Sequence, residues 1–266
     1  MINSYYGNKT ILITGATSGI GRELALRLSG NNCTLLLLGR REERLNELSK
    51  ALAARNCRVF TYKCDVSVKR EVEAVYTQMK RDAGFIDIAV LNAGVSFRML
   101  SSGDNVTMGE QTFGINFFGA VYFITELLKD YVPAKKGMIA GVSSLAETRG
   151  FPGSGYYCAS KAAFSIYLES LRVEHKKHGI KVLTIKPGFV VSEMTDKNEF
   201  TMPFLMKTGK AVDIIYRGIA KEKRIIQFPL RLVALIKILK FIPPFLFDIL
   251  GNIKEFEKQK NMRGAE

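Results

Sequence analysis

Thr10-Ile11-Leu12-Ile13-Thr14-Gly15-Ala16-Thr17-Ser18-Gly19-Ile20-Gly21 is the stretch on which the reading of this chain turns. A short run of β-branched and leucine residues reads as a strand, and three glycines spaced GxxxGxG follow it directly and open a helix. Glycines at such a turn let backbone N–H groups approach a pyrophosphate at the helix N-terminus. The spacing differs from GxGxxG, and a glycine-rich turn alone is often only a turn. Its place between strand and helix is what reads as a phosphate cradle, built from Gly15, Thr17, Ser18, Gly19, Ile20 and Gly21.

Outward from that turn, similar runs recur at Thr34–Leu38, Arg58–Lys63, Ile86–Leu91, Met138–Val142, Lys181–Ile185 and Arg224–Gln227. Between them Gly21–Ser29, Glu42–Arg55, Val68–Arg81, Met108–Tyr131, Tyr157–Lys177 and Ala211–Ala220 carry apolar residues at helical spacing. Strand–helix alternation predicts an α/β fold: one Rossmann-like, doubly wound parallel sheet of about seven strands with helices on both faces. No linker, repeat or low-complexity segment offers a second domain a place to begin. The expected division is a nucleotide-binding domain over 1–228 and an apolar, basic helical extension over 229–266.

The chain has 266 residues, 47% hydrophobic and 24% charged, a balance that excludes disordered and collagen-like classes. Cys33, Cys57, Cys64 and Cys158 are too few and too scattered for a disulfide framework, so reduced thiols and a cytoplasmic setting are expected. The polar start, Met1 to Thr10, does not resemble an export signal. Net charge is +14, and the last 66 residues hold 13 Lys/Arg against 6 Asp/Glu. Such a bias suits nucleic acid, anionic lipid, a phosphorylated ligand or plain solubility. No nucleic-acid recognition motif accompanies it, and no nucleic-acid partner is expected.

The second strand ends Leu38-Gly39-Arg40-Arg41, where NAD-binding proteins place an acidic residue on the ribose 2′-hydroxyl. Two guanidiniums there suit a 2′-phosphate and favour NADP(H). The plainer reading has both arginines solvating the next helix start. Asp65, beside Val66, either accepts from an adenine amino group or caps the helix that follows.

Tyr157-Cys158-Ala159-Ser160-Lys161 sets a phenol and an ammonium at i and i+4 on one helical face. A cation beside a phenol favours phenolate, which predicts a tyrosine able to exchange a proton near neutrality. Tyr156 is the rival, but its i+4 partner is Ser160.

Thr14–Gly21, Asn92-Ala93-Gly94, Ser144, Tyr157–Lys161 and Pro187-Gly188, in that order and spacing, resemble the short-chain dehydrogenase/reductase family from about Lys9 to Gln227. The resemblance implies that Ser144 binds the substrate oxygen, with Ser143 as the neighbouring alternative. It implies that Tyr157 passes the proton, and that Lys161 orients the nicotinamide ribose and depresses the tyrosine. Asn116 matches the asparagine that holds a relay water, its alternative being an ordinary buried amide. Asn92, Ala93 and Gly94 would border the adenine ribose, and Pro187, Gly188, Val190 and Ser192 would lie against the carboxamide. Leu91, Glu147 and Cys158 depart from the usual pattern, and Glu147 is expected to place a charge near the substrate mouth. Members commonly form dimers or tetramers through the two long helices.

His175 and His178 are spaced i, i+3 without an evident third ligand, and a role at the helix C-terminus is preferred, so no metal is expected. Phe189, Met194, Phe200, Met202, Phe204, Leu205 and Met206 make an apolar lid over about 189–209 that suits a lipophilic carbonyl substrate, unless it is simply packed. Leu230–Ile242 is apolar with Arg231, Lys237 and Lys240, and prolines follow, so it is not read as transmembrane. Residues 229–250 suit either peripheral contact with the inner face of a membrane or docking on a sheet edge or subunit. Lipid-directed members such as 3-ketosphinganine reductase often associate with membranes. The leading expectation is NADPH-dependent reduction of a lipophilic ketone or 3-oxoacyl group, and the alternative is a catalytically silent NADP-binding regulator.

Overall fold

The computed structural model describes residues 2–99, 105–196, 198 and 200–249. The end of the extension, 250–266, lies outside the described residues. Seven strands form one parallel sheet: β1 (Thr10–Thr14), β2 (Cys33–Gly39), β3 (Cys57–Lys63), β4 (Ile88–Leu91), β5 (Met138–Val142), β6 (Lys181–Pro187) and β7 (Ile225–Phe228). Their order is β3-β2-β1-β4-β5-β6-β7. The helices are α1 (Ile2–Tyr6), α2 (Gly19–Leu28), α3 (Glu42–Leu52), α4 (Lys69–Ala83), α5 (Val106–Phe113), α6 (Gly119–Ala134), α7 (Gly155–Glu174), α8 (Thr208–Ala220) and α9 (Leu230–Phe241).

Successive strand side chains point to opposite faces, and both faces are covered, which is why the strands are apolar without alternation. Ile11, Ile13, Leu35, Leu37 and Val90 pack with Leu24 and Leu28 of α2, Leu45 and Leu48 of α3 and Ile215 of α8. Leu12, Leu36, Leu38, Ala89 and Ile139 pack with Val72 and Met79 of α4, Phe123 and Leu127 of α6 and Phe164 and Leu168 of α7. The chain winds outward from β1 to β3, then returns to add β4 on β1's other side. In an open sheet the crevice beyond the strand ends at that reversal is where ligands bind.

The sequence expectation of one helix over Met108–Tyr131 is corrected. The segment is α5, one π-helical turn at Gly114–Phe118, then α6. A Cβ on Gly119 would stand 2.7 Å from Val66 Cγ2, so the chain is held close against the loop after β3. A π turn adds a residue to the helical circuit and redirects a side chain, here Asn116. The catalytic-side helix starts at Gly155 and ends at Glu174, so His175 and His178 lie in a following 3-10 turn.

Candidate active site

The turn after β1 is held by its neighbours. Gly15 has φ +66°, and a Cβ there would stand 2.8 Å from Ala93 Cα. A Cβ on Gly21 would run into the Gly15 carbonyl oxygen. Asn92 Nδ2 donates to the carbonyls of Thr14 (3.1 Å) and Gly15 (3.2 Å), and Thr14 Oγ1 accepts from the Asn92 and Ala93 amides. The expectation that Asn92 borders a ribose is therefore refined: its amide stitches the turn to β4. Ser18 precedes α2 without a side-chain cap bond, and Gly19 and Ile20 begin the helix. Ser192, from the segment after β6, reaches this turn, since a Cβ on Gly19 would meet its Cβ at 3.2 Å. Tight glycines, an uncapped helix start and the strand reversal together fit a dinucleotide pyrophosphate.

Arg40 and Arg41 flank the end of β2 beside Thr17, but each already has company. Arg41 Nη1 pairs with Glu193 Oε2 at 2.7 Å and its Nη2 donates to Thr17 Oγ1 at 3.2 Å. Arg40 pairs with Asp65 at 3.5 Å. Asp65 is not the cap of α4, which is preceded by Val68; its Oδ1 accepts from the Ser67 amide and hydroxyl in a local turn. Those two bonds and Arg40 hold its carboxyl below the ordinary range despite burial. Glu193 was not singled out from sequence, because it lies 152 residues from Arg41.

Ser144 follows β5 by two residues and caps the 3-10 turn Leu145–Thr148, its Oγ accepting from the Ala146 amide at 3.1 Å. Its side chain hydrogen-bonds Tyr157 in the first turn of α7. Tyr156 instead packs on α5, where a Cβ on Gly109 would stand 2.8 Å from its ring. Lys161 is buried, with Nζ 2.9 Å from the Val142 carbonyl and 5.9 Å from the Tyr157 ring centroid. One electrostatic expectation is reversed. Burial raises Tyr157, which the Ser144 bond only partly offsets, and burial lowers Lys161 to about 8. Desolvation outweighs the Ser144 bond, so the resting phenol is a neutral donor.

Asn116 in the π turn clamps the loop after β4. Its Oδ1 accepts from the Val95 amide (2.8 Å), and Nδ2 donates to the Val95 carbonyl (2.9 Å) and Ser160 Oγ (3.0 Å). Gly94 brings that amide and Lys161 together, a Cβ there lying 3.3 Å from both Asn116 Oδ1 and Lys161 Nζ. Pro187 closes β6, and a Cβ on Gly188 would stand 2.5 Å from Leu232 Cδ2 of α9.

The expected charge at the substrate mouth is absent from it, because Glu147 turns inward. Its carboxylate pairs with Lys186 and accepts from Ser143 Oγ (2.8 Å) and Ser165 Oγ. Ser143, also 2.9 Å from the Lys161 carbonyl, is thus part of the scaffold. Lys186 was missed from sequence, where it looks like any strand-end lysine. In the lid, Val190 bridges Met206 and Phe189 meets Phe200 at 5.8 Å between centroids, while Phe200, Phe204 and Leu205 stay exposed. The packing explanation therefore covers only part of the lid. Among the described residues no group of three or more His, Cys, Asp or Glu is placed to hold a metal, and no helix is long and apolar enough to cross a membrane.

The short chain dehydrogenase family profile matches residues 9–202. An uncharacterized oxidoreductase of Myxococcus xanthus is 37% identical over 243 residues, 90% of this chain and 95% of that protein. Among solved structures, a short-chain dehydrogenase/reductase from Burkholderia phymatum in complex with NAD superposes with a TM-score of 0.80 at 21% identity, covering 88% of this chain and 93% of that one. A short-chain dehydrogenase from Sphingobium yanoikuyae in complex with NADPH gives 0.77 at 24% identity, covering 89% and 97%. The chain belongs to the short-chain dehydrogenase/reductase family and is an NAD(P)-dependent oxidoreductase.

Proposed function

We propose that the chain is an NADP(H)-dependent carbonyl reductase acting on a lipophilic ketone or 3-oxoacyl group, running in reverse as an alcohol dehydrogenase. The observation that carries this is the neutral Tyr157 phenol hydrogen-bonded to Ser144 beside buried Lys161. A bound nicotinamide supplies the hydride. Ser144 and Tyr157 hold the carbonyl oxygen, and Tyr157 donates its proton to that oxygen as negative charge develops there. A tyrosine raised by burial keeps that proton at neutral pH, as a proton donor in reduction requires. Lys161 takes the ribose hydroxyls, and Asn116 fixes the loop that brings Gly94 against it.

In this reading the turn Gly15 to Gly21 holds the pyrophosphate, Arg40 and Arg41 take a 2′-phosphate, and Asp65 with Val66 borders the adenine. Asn92 to Gly94 line the adenosine side, and Pro187, Gly188, Val190 and Ser192 the carboxamide. Residues 1–228 form the catalytic domain and 229–266 its extension, in a cytoplasmic protein. The exposed Phe200, Phe204 and Leu205 of the lid, with half-buried Met194, Met202 and Met206 beside them in sequence, support a bulky, apolar substrate. Ile166 and Val173, exposed one heptad apart on α7, and Phe118 beside α6 support a homodimer or homotetramer paired through those helices.

The test follows NADPH absorbance over ketones graded by chain length, with Tyr157→Phe as control. Turnover is expected to rise with chain length, and Tyr157→Phe to lose about 10³-fold in kcat with NADPH binding intact. Retained turnover in Tyr157→Phe removes the proton donor. Tight NADPH binding with no ketone turned over points to a silent binding protein instead.

A further inference from the structure

α9 carries apolar residues on both its sides, yet the domain covers only one of them. Leu232, Val233 and Ile236 pack with Leu145, Phe151 and Phe189. At about 100° per residue, Leu230, Ala234, Ile238 and Phe241 share the opposite side. Leu230, Ile238 and Phe241 are 76%, 64% and 83% exposed, and Phe245, Leu246 and Ile249 extend the patch. A surface helix of a soluble domain is polar on that side.

Charge narrows what covers it. Arg231 and Lys237 flank the apolar row, Lys240 lies in the last turn of the helix, and Asp248 is the one acid from Pro229 through Ile249. A second copy of the chain would bring three cations against three with one carboxylate a side, Asp248, to offset them. An anionic bilayer supplies the missing charge, and a helix with apolar centre and basic flanks lies in the plane of such an interface.

Placement ties the patch to the site. Leu145, under α9, follows Ser144 directly, and Leu232 abuts Gly188. Past the helix, Arg149 donates to the Ile242 carbonyl at 3.1 Å and its guanidinium lies 4.1 Å from the Phe247 ring centroid, so the segment is pinned to the loop after Ser144.

We propose that the uncovered side of α9, with Phe245, Leu246 and Ile249, docks on an anionic lipid surface and sets the substrate mouth against the bilayer, from which the ketone is drawn. The delivery half rests on the lipophilic-ketone reading given above; the docking half stands without it.

The experiment floats the full chain with vesicles of phosphatidylcholine alone or mixed with phosphatidylglycerol, and assays a small water-soluble ketone in parallel. Three cations at about fivefold each give an expected preference of about a hundredfold for the mixed vesicles, falling with salt. Ile238→Glu/Phe241→Glu is expected to lose flotation with its turnover of the soluble ketone unchanged, and Lys237→Glu/Lys240→Glu to lose the anionic preference. Equal partition into both vesicle types overturns the proposal. So does a wild-type chain that ignores vesicles but is a dimer in solution, made monomeric by Ile238→Glu/Phe241→Glu. Absent turnover in every variant with flotation intact faults the reductase reading and leaves the docking surface standing.

Discussion

Two lysines lie under the candidate site in opposite company. Lys161, on α7, is buried with its Nζ on a single carbonyl, Val142 O. Lys186, one strand over on β6, is paired with the Glu147 carboxylate, which also gathers Ser143 and Ser165. The first is brought down to about 8 by burial and faces no salt-bridged carboxylate among the described residues; the second is paired with one and ties β6 to the loop after Ser144. The two are coupled, because Glu147 is the group that holds Lys161 up against burial. A lysine set up for chemistry is thus recognised by its missing counter-ion rather than by its burial.

The sharpest way to break that contrast is Lys161→Met. Burial takes Lys161 from the ordinary 10.5 to about 8, so below pH 8 the folded chain holds a proton that the unfolded chain holds more readily. That costs about 3 kcal/mol, order of magnitude. Methionine removes this cost but leaves the Val142 carbonyl without its donor, worth about 1 kcal/mol. The variant is expected to be about 2 kcal/mol more stable near neutrality, while kcat/KM falls about 10²-fold or more. The gain is full below pH 8 and fades as pH rises from 8 to 10.5, where the unfolded lysine also goes neutral. Urea unfolding near neutrality and near pH 10.5 checks this. A variant less stable than wild type at neutrality would mean that the ammonium stabilises the fold.

The contrast also marks what was legible in the sequence. The turn at Gly15 to Gly21 and the i, i+4 pair Tyr157 and Lys161 were readable because each is a local motif whose geometry follows from its own strand end or helix face, whereas Ser144 entered only through the family resemblance. The break in the long helix was not, since Gly114 and Gly119 fit a helical pattern and only the nearness of Val66 shows why the chain turns there. Nor were the partners of Glu147 and Arg41. Lys186 stands 39 residues from Glu147 and Glu193 stands 152 from Arg41, and such distances are closed by the sheet order, not by spacing. The direction of the Tyr157 shift failed for a related reason: i, i+4 spacing gives the nearness of a cation but not the burial that raises the phenol.

Glu147→Gln sharpens the contrast with a smaller effect. Glutamine keeps an acceptor for Ser143 and Ser165 but leaves Lys186 without its counter-ion and withdraws the charge that raises Lys161. Lys161 then falls below about 8, and if turnover needs the ammonium, its alkaline limb moves to lower pH. Stability is expected to drop by about 1–3 kcal/mol, since the pair is largely but not wholly buried. The pH profile of kcat/KM separates the two roles: a lower Tm with an unmoved limb would make Glu147 scaffold alone.

The smallest effect is expected where a counter-ion is present but replaceable. Arg41 shares its guanidinium between Glu193 and Thr17 at the surface, so a 2′-phosphate reaching it must displace a carboxylate. An exposed pair of this kind is worth about 0.5–1 kcal/mol, and Glu193→Gln should tighten NADPH binding by about two- to fivefold while leaving NADH unchanged. Titration of both cofactors by nicotinamide fluorescence reads the difference directly. Arg41→Ala should move the NADPH affinity the opposite way, again sparing NADH. If Glu193→Gln tightens both cofactors equally, the pair restrains the segment after β6, where Ser192 meets the glycine turn, and Arg41 does not read the 2′-phosphate.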